Sequence, residues 1–117
     1  VDSGATWIRI MEVKSNMTCS FMMNMICYAN QDASIIVGYV VNYDNKVQIC
    51  NFKQLIGKAG EVYNPNLKYK KDGSTIIVWA KSSAINNKAS CINLLHGNAS
   101  FPMVVETPPE DAIQPTW

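Results

Sequence analysis

Along this chain short apolar runs alternate with polar, turn-forming clusters at intervals of roughly 8 to 12 residues, the rhythm of a protein built from many strands. Residues 6–13, Thr-Trp-Ile-Arg-Ile-Met-Glu-Val, place Ile8, Ile10 and Glu12 on one face and Trp7, Arg9, Met11 and Val13 on the other. Lys14-Ser15-Asn16 predicts a turn, after which Met17, Cys19 and Phe21 share one face of a second strand. The apolar stretch 22–28 suits either an extended loop or a half-turn of helix, because methionine fills irregular gaps. Ile35-Ile36-Val37-Gly38-Tyr39-Val40-Val41 is the strongest strand signal, dominated by β-branched residues. Asn42-Tyr43-Asp44-Asn45 predicts a hairpin turn, and residues 46–52 return with Val47, Ile49 and Asn51 alternating. Further strands are expected at 61–63, 67–70, 74–80, 89–95 and 99–107, with turns at Lys71-Asp72-Gly73 and His96-Gly97-Asn98.

No segment carries a convincing 3.6-residue period. Eight or nine strands therefore predict an all-β sandwich or small barrel. A length of 117 residues suits one domain. The last ten residues hold three of the five prolines together with Glu110 and Asp111. They predict a solvated Pro-rich acidic tail or stalk, 108–117, after a β-sandwich domain spanning 1–107.

Composition narrows the function classes. Hydrophobic residues make up 48% and charged residues 16%, enough for a core and too few charges for a disordered chain. A net charge of +1 provides no basic field for nucleic acid. No run of 18 or more apolar residues predicts insertion into a membrane, and any signal peptide is expected to have been removed. Nine lysines against one arginine, with twelve asparagines and twelve isoleucines, match A/T-rich codons, as in several DNA viruses and many parasites.

The four cysteines, Cys19, Cys27, Cys50 and Cys91, are compatible with two disulfides in any of three connectivities, or with buried thiols. The absence of any Cys-x-x-Cys pair and the presence of one histidine disfavour zinc. No cofactor is expected. Two sequons, Asn16-Met17-Thr18 and Asn98-Ala99-Ser100, fall at expected turns or strand ends and are candidate glycosylation sites. Catalysis has little support: His96 is the sole imidazole, no phosphate-binding glycine loop or nucleophile elbow is present, and the carboxylates are scattered. Lys68, Lys70 and Lys71 around Tyr69 read as a solvated edge more readily than as a phosphate patch. Tyr39, Tyr43, Phe52, Tyr63 and Phe101 are candidates for an exposed aromatic patch.

The cysteine-bearing segments resemble immunoglobulin variable-type domains over roughly residues 6–107. Ser15-Asn16-Met17-Thr18-Cys19-Ser20-Phe21 resembles strand B, Ser74-Thr75-Ile76-Ile77-Val78-Trp79 strand E, and Cys91 stands where strand F carries its cysteine. The segment Tyr39 to Cys50 is similar to leukocyte costimulatory and paired inhibitory receptors that carry a further cysteine in strand C′. Tyr39 takes the place of the family's strand C tryptophan. The tyrosine-corner positions read Ile85, Asn87, Ala89 and Cys91.

The resemblance implies a two-sheet V-type sandwich with a Cys19–Cys91 bridge between sheets and a second bridge, Cys27–Cys50. It also implies a secreted or membrane-tethered, non-enzymatic ectodomain that binds a host cell-surface or secreted protein, as a viral immune modulator does. The rival expectation is a small secreted β-rich effector or toxin with ribonuclease-like activity. The expected binding surface is the F–G hairpin, Leu94-Leu95-His96-Gly97, with Tyr43 and Phe52 beside it.

Overall fold

The computed structural model describes residues 7–27, 32–43, 47–56, 66–81 and 88–115. Within them lie β1 (Trp7–Val13), β2 (Met17–Cys27), β3 (Asp32–Tyr43), β4 (Val47–Ile56), β5 (Asn66–Asp72), β6 (Thr75–Lys81), β7 (Lys88–Gly97) and β8 (Val104–Val105). They form two antiparallel four-stranded sheets, ordered β5-β6-β1-β8 and β4-β3-β2-β7, packed as a sandwich. The methionine-rich stretch extends β2 through Cys27, paired on both sides by β3 and β7. The expected strand at 61–63 falls outside the described residues. The expected last strand over 99–107 contracts to an isolated bridge at Ser100 and the two residues of β8.

The core lies between the sheets. Cys19, Phe21 and Met23 from β2, Ile36 and Val40 from β3, and Phe52 from β4 meet Met11 and Val13 from β1, Leu67 from β5, and Ile76 and Val78 from β6. Aromatic rings connect the layers: Phe21 meets Phe52 edge-on at 5.7 Å, and Phe52 meets Tyr69 across the sandwich at 5.6 Å. Gly38 makes room for this stack. A Cβ there would stand 2.8 Å from the Phe21 ring tip and 2.9 Å from the Phe52 ring.

In β1 the register slips between Arg9 and Met11, so Ile10 and Met11 are both buried where strict alternation would expose one of them. Asn42, expected in a turn, is instead fully buried in β3. Its Nδ2 donates to the Val13 carbonyl at 2.9 Å and to the Ser74 carbonyl at 3.0 Å, tying one sheet to the other.

Every residue of β6 from Ile76 to Ala80 is buried. Ile76, Val78 and Ala80 point into the sandwich, so Ile77 and Trp79 point out of it and need a cover of their own. The C-terminal segment provides it, and residues 108–115 do not behave as the expected free tail. β8 pairs with β1 at one edge of the sheet, while Ile113 exchanges backbone hydrogen bonds of 2.9 and 2.8 Å with Tyr69 at the opposite edge. The chain between them straps across the outer face and buries its own Pro108.

Glu106 pins the strap. It accepts Trp79 Nε1–H at 2.8 Å and receives the Arg9 guanidinium bidentately at 2.7 to 3.0 Å. Lys70 holds Asp111 at 2.9 Å. The prolines that argued against a regular element do not prevent docking through side chains and isolated backbone bonds.

The sandwich departs from the connectivity that the immunoglobulin resemblance implies. That arrangement places strands B and F in opposite sheets, joined by the inter-sheet disulfide. Here β2 and β7 are neighbours in one sheet, and β2 pairs with β3 on its other side. Cys91 is the register partner of Asn24, five residues along β2 from Cys19, a separation of about 17 Å at the usual strand rise. Cys27 stands opposite Asp32 and Cys50 opposite Val40, eight residues apart along β3, or about 26 Å. Bridged Cα atoms lie within about 7 Å, so neither implied bridge fits. Cys19 and Cys50 are free thiols.

Two predictions follow from this packing. Cys19 and Cys50 should titrate as thiols in denaturant without reductant, and a Cys19–Cys91 peptide in a non-reducing digest would contradict the register. The second concerns Glu106, whose carboxyl is held below its ordinary value near 4.5, first by the Trp79 hydrogen bond and then by Arg9. A depressed acid stabilises the folded state above its ordinary value, and this contribution is lost as pH falls through the lowered one. The Trp79 indole N–H resonance should therefore hold steady at neutral pH and shift only below 4.5. In Glu106→Gln that acid transition should vanish.

Candidate functional site

The other outer face of the sandwich, on β4-β3-β2-β7, has no comparable cover among the described residues. Alternation sends to it the residues that the core does not use, and the register arranges them in rows. Val47 stands beside Tyr43. Ile49, Val41 and Thr18 form the next row, then Asn51, Tyr39, Ser20 and His96, then Lys53, Val37, Met22 and Asn93. Tyr39 is 42% exposed, and Tyr43, Val47 and Ile49 are exposed with it, while Val37, Val41 and Met22 are half-buried.

Two bulges add apolar bulk at the margins. Leu55 is the extra residue where β4 slips against Ile35 and Ile36, and Leu95, 57% exposed, is the extra residue where β7 slips against Ser20 and Phe21. Between them lies a shallow hollow of about 320 Å³, lined by Val37, Tyr39, Asn51, Lys53 and Leu95 among others. Asn51 Nδ2 donates to the Tyr39 hydroxyl at 3.2 Å and so orients the ring. Lys53 is the one charged side chain in that lining.

The structure divides the residues expected at the binding surface. Phe52 is 5% exposed and belongs to the core. Tyr43 is on the open face but four residues along β3 from Tyr39, about 13 Å. Leu94-Leu95-His96-Gly97 does not form a hairpin, because β7 and β8 belong to different sheets. The chain leaves the sheet at Gly97, where φ is 89° and a Cβ would run into the Thr18 carbonyl. The Asn98 N–H then donates to that carbonyl at 2.9 Å. Leu94 is exposed opposite Phe21, and His96 is exposed opposite Ser20.

Of the expected residues, Leu95 is the one brought into the hollow, and its partner there is Tyr39. The signal for Tyr39 was the uninterrupted apolar run of β3, which leaves an aromatic on the face that the core does not use. The two sequons converge at one end: Asn16 and Asn98 are both exposed, and Asn98 is bonded to Thr18.

The lysines around Tyr69 do not form an open anion patch. Tyr69 enters the aromatic stack, Lys70 pairs with Asp111, and the Lys68 ammonium lies 5.3 Å above the Trp7 ring. Among the described residues no group of three or more His, Cys, Asp or Glu side chains is placed to hold a metal, and no helix is long and apolar enough to cross a membrane.

No protein-family model matches the chain, and no curated protein matches it. Among solved structures it is similar to WceF from Pantoea stewartii, described as a glycan biofilm-modifying enzyme with a bacteriophage tailspike-like parallel β-helix fold. The TM-score is 0.58 at 10% identity, over 97% of this chain and 20% of that one. This chain thus spans about a fifth of the length of that structure, and the likeness concerns fold alone.

Proposed function

We propose that this sandwich is a protein-binding module that engages its partner through the outer face of β4-β3-β2-β7, centred on Tyr39 and Leu95. The observation that carries the reading is the apolar character of β3 on both of its faces. Ile36 and Val40 fill the core, while Val37, Tyr39, Val41 and Tyr43 face outward beside Ile49, Val47 and Leu55. Contiguous exposed apolar surface rimmed by polar groups is the usual mark of an interaction site, and aromatic anchors at its centre carry most of the binding energy. Asn51, Lys53, His96 and Asn93 form such a rim.

The immunoglobulin resemblance suggested a sheet-face binder on an extracellular or secreted host protein, and the face retains that mode of binding on a different connectivity. We infer a non-enzymatic role on the same grounds, with a cell-surface or secreted protein as the partner class.

The test is a panel of displayed cell-surface and secreted proteins, run beside ribonuclease and glycan-cleavage assays. A binder found with the wild-type chain should lose affinity by about 30-fold or more in Tyr39→Asp and in Leu95→Asp, with unchanged melting temperatures. Retained binding in both folded variants would move the site elsewhere. RNA hydrolysis abolished by His96→Ala would favour the effector reading.

A further inference from the structure

The open face of β4-β3-β2-β7 is one-sided in charge as well as apolar. Along its rows the described residues carry one formal charge, the ammonium of Lys53, and no carboxylate. Among the described residues the ion pairs are Arg9 with Glu12 and Glu106, and Lys70 with Asp111, all on the other sheet and its strap. Lys53 is exposed and enters none of them. It stands opposite Val37, which makes it the diagonal neighbour of Tyr39, itself opposite Asn51. Diagonal neighbours lie about 7 to 8 Å apart, within reach of long side chains. Asn51 Nδ2 donates to the Tyr39 hydroxyl at 3.2 Å, which leaves that hydroxyl's own hydrogen to be donated outward. The hollow between Tyr39 and Leu95 is thus an aliphatic and aromatic depression with two donors, Lys53 from β4 and Tyr39 from β3.

Given the sheet face as the binding surface, on which this inference rests, we propose that the hollow recognises an acidic, apolar segment of the partner protein. A branched or aromatic side chain of that segment sits on Val37, Leu95 and the Tyr39 ring, and a neighbouring carboxylate is held between Lys53 Nζ and the Tyr39 hydroxyl. At the roughly 30 Å³ that a water occupies in the liquid, the hollow of about 320 Å³ takes about ten non-hydrogen atoms, enough for one such side chain and a carboxylate. A second copy of this chain is a poor occupant, because a two-fold contact would bring Lys53 and its copy against faces with no acid to receive them. Complementary charge decides which partner is accepted more than how tightly it is held, so the single ammonium acts as a selector.

The test is selection of a displayed library of short random peptides on the full chain, repeated with Lys53→Glu and Leu95→Asp. The wild-type chain should enrich peptides in which Asp or Glu lies beside Leu, Phe or Trp, and Lys53→Glu should enrich Lys or Arg in place of the acid. For a selected acidic peptide, Lys53→Gln should weaken binding about tenfold, the worth of one charge-assisted contact, and Tyr39→Phe about fivefold. Added salt should weaken the wild-type complex and leave that of Lys53→Gln nearly unchanged. The proposal is overturned if the wild-type chain enriches no peptide, if the enriched peptides show no acidic bias, or if the bias persists in Lys53→Glu. Peptides without acidic bias that Leu95→Asp releases would defeat the charge assignment and leave the sheet face as the binding surface. Acidic peptides that Leu95→Asp still holds at wild-type affinity would defeat both. Replacing the acid of a selected peptide by its amide gives the same decision on the wild-type chain alone, even where a variant is destabilised: equal affinity overturns the proposal, and a loss of about tenfold supports it.

Discussion

Two strands of this sandwich are apolar on both faces, and the rest of the architecture answers to that constraint. A strand of this kind cannot rest at the surface of a two-layer protein without further cover, because each buried aliphatic or aromatic side chain is worth about 1.5 to 3 kcal/mol against leaving it in water. β6 solves the problem within the chain. Its outward Ile77 and Trp79 are buried, and the C-terminal strap crosses their face of the sheet. β3 carries the same pattern in Ile35 to Val41, yet its outward side chains stay exposed or half-buried. The asymmetry between the two sheets is the physical basis for assigning binding to one of them.

The strap holds by few polar contacts placed where they matter. Glu106 gathers one indole and one guanidinium, and Arg9 uses its remaining nitrogen on Glu12 at 2.8 Å, so a single carboxylate joins β6, β1 and the strap. A bidentate arginine contact is among the stronger charge-assisted bonds, though partial exposure tempers its worth. Asn42 plays the corresponding part inside the sandwich, with its amide nitrogen donating to the carbonyls of Val13 in β1 and of Ser74 in the β5–β6 turn.

Strand content and the all-β sandwich were legible from periodicity, because alternation and β-branched runs report local geometry directly. Pairing was not. The resemblance around Cys19 and Cys91 rested on residue types, while strand order is set by which edges meet, and β2 meets β7 within one sheet. Phe52 looked like a surface aromatic because its strand alternates with polar residues; the stack with Phe21 and Tyr69 that buries it is a long-range event. The strap was misread because proline speaks against regular structure and says nothing about docking. The run Ile76-Ile77-Val78-Trp79-Ala80 did hold the clue, since five consecutive apolar residues in a strand imply cover on both faces. The same reasoning applied to β3 would have singled out Tyr39.

The claim that the strap completes one face while the other stays open is tested most directly by the melting temperature of a chain ending at Thr107. Loss of the segment that carries the buried Pro108 and ties Asp111 and Ile113 to β5 should lower it by about 10 °C, with new hydrogen exchange concentrated in β5 and β6. A change of less than about 2 °C with β5 and β6 still protected would show that the outer face of that sheet needs no cover, and the account would fail.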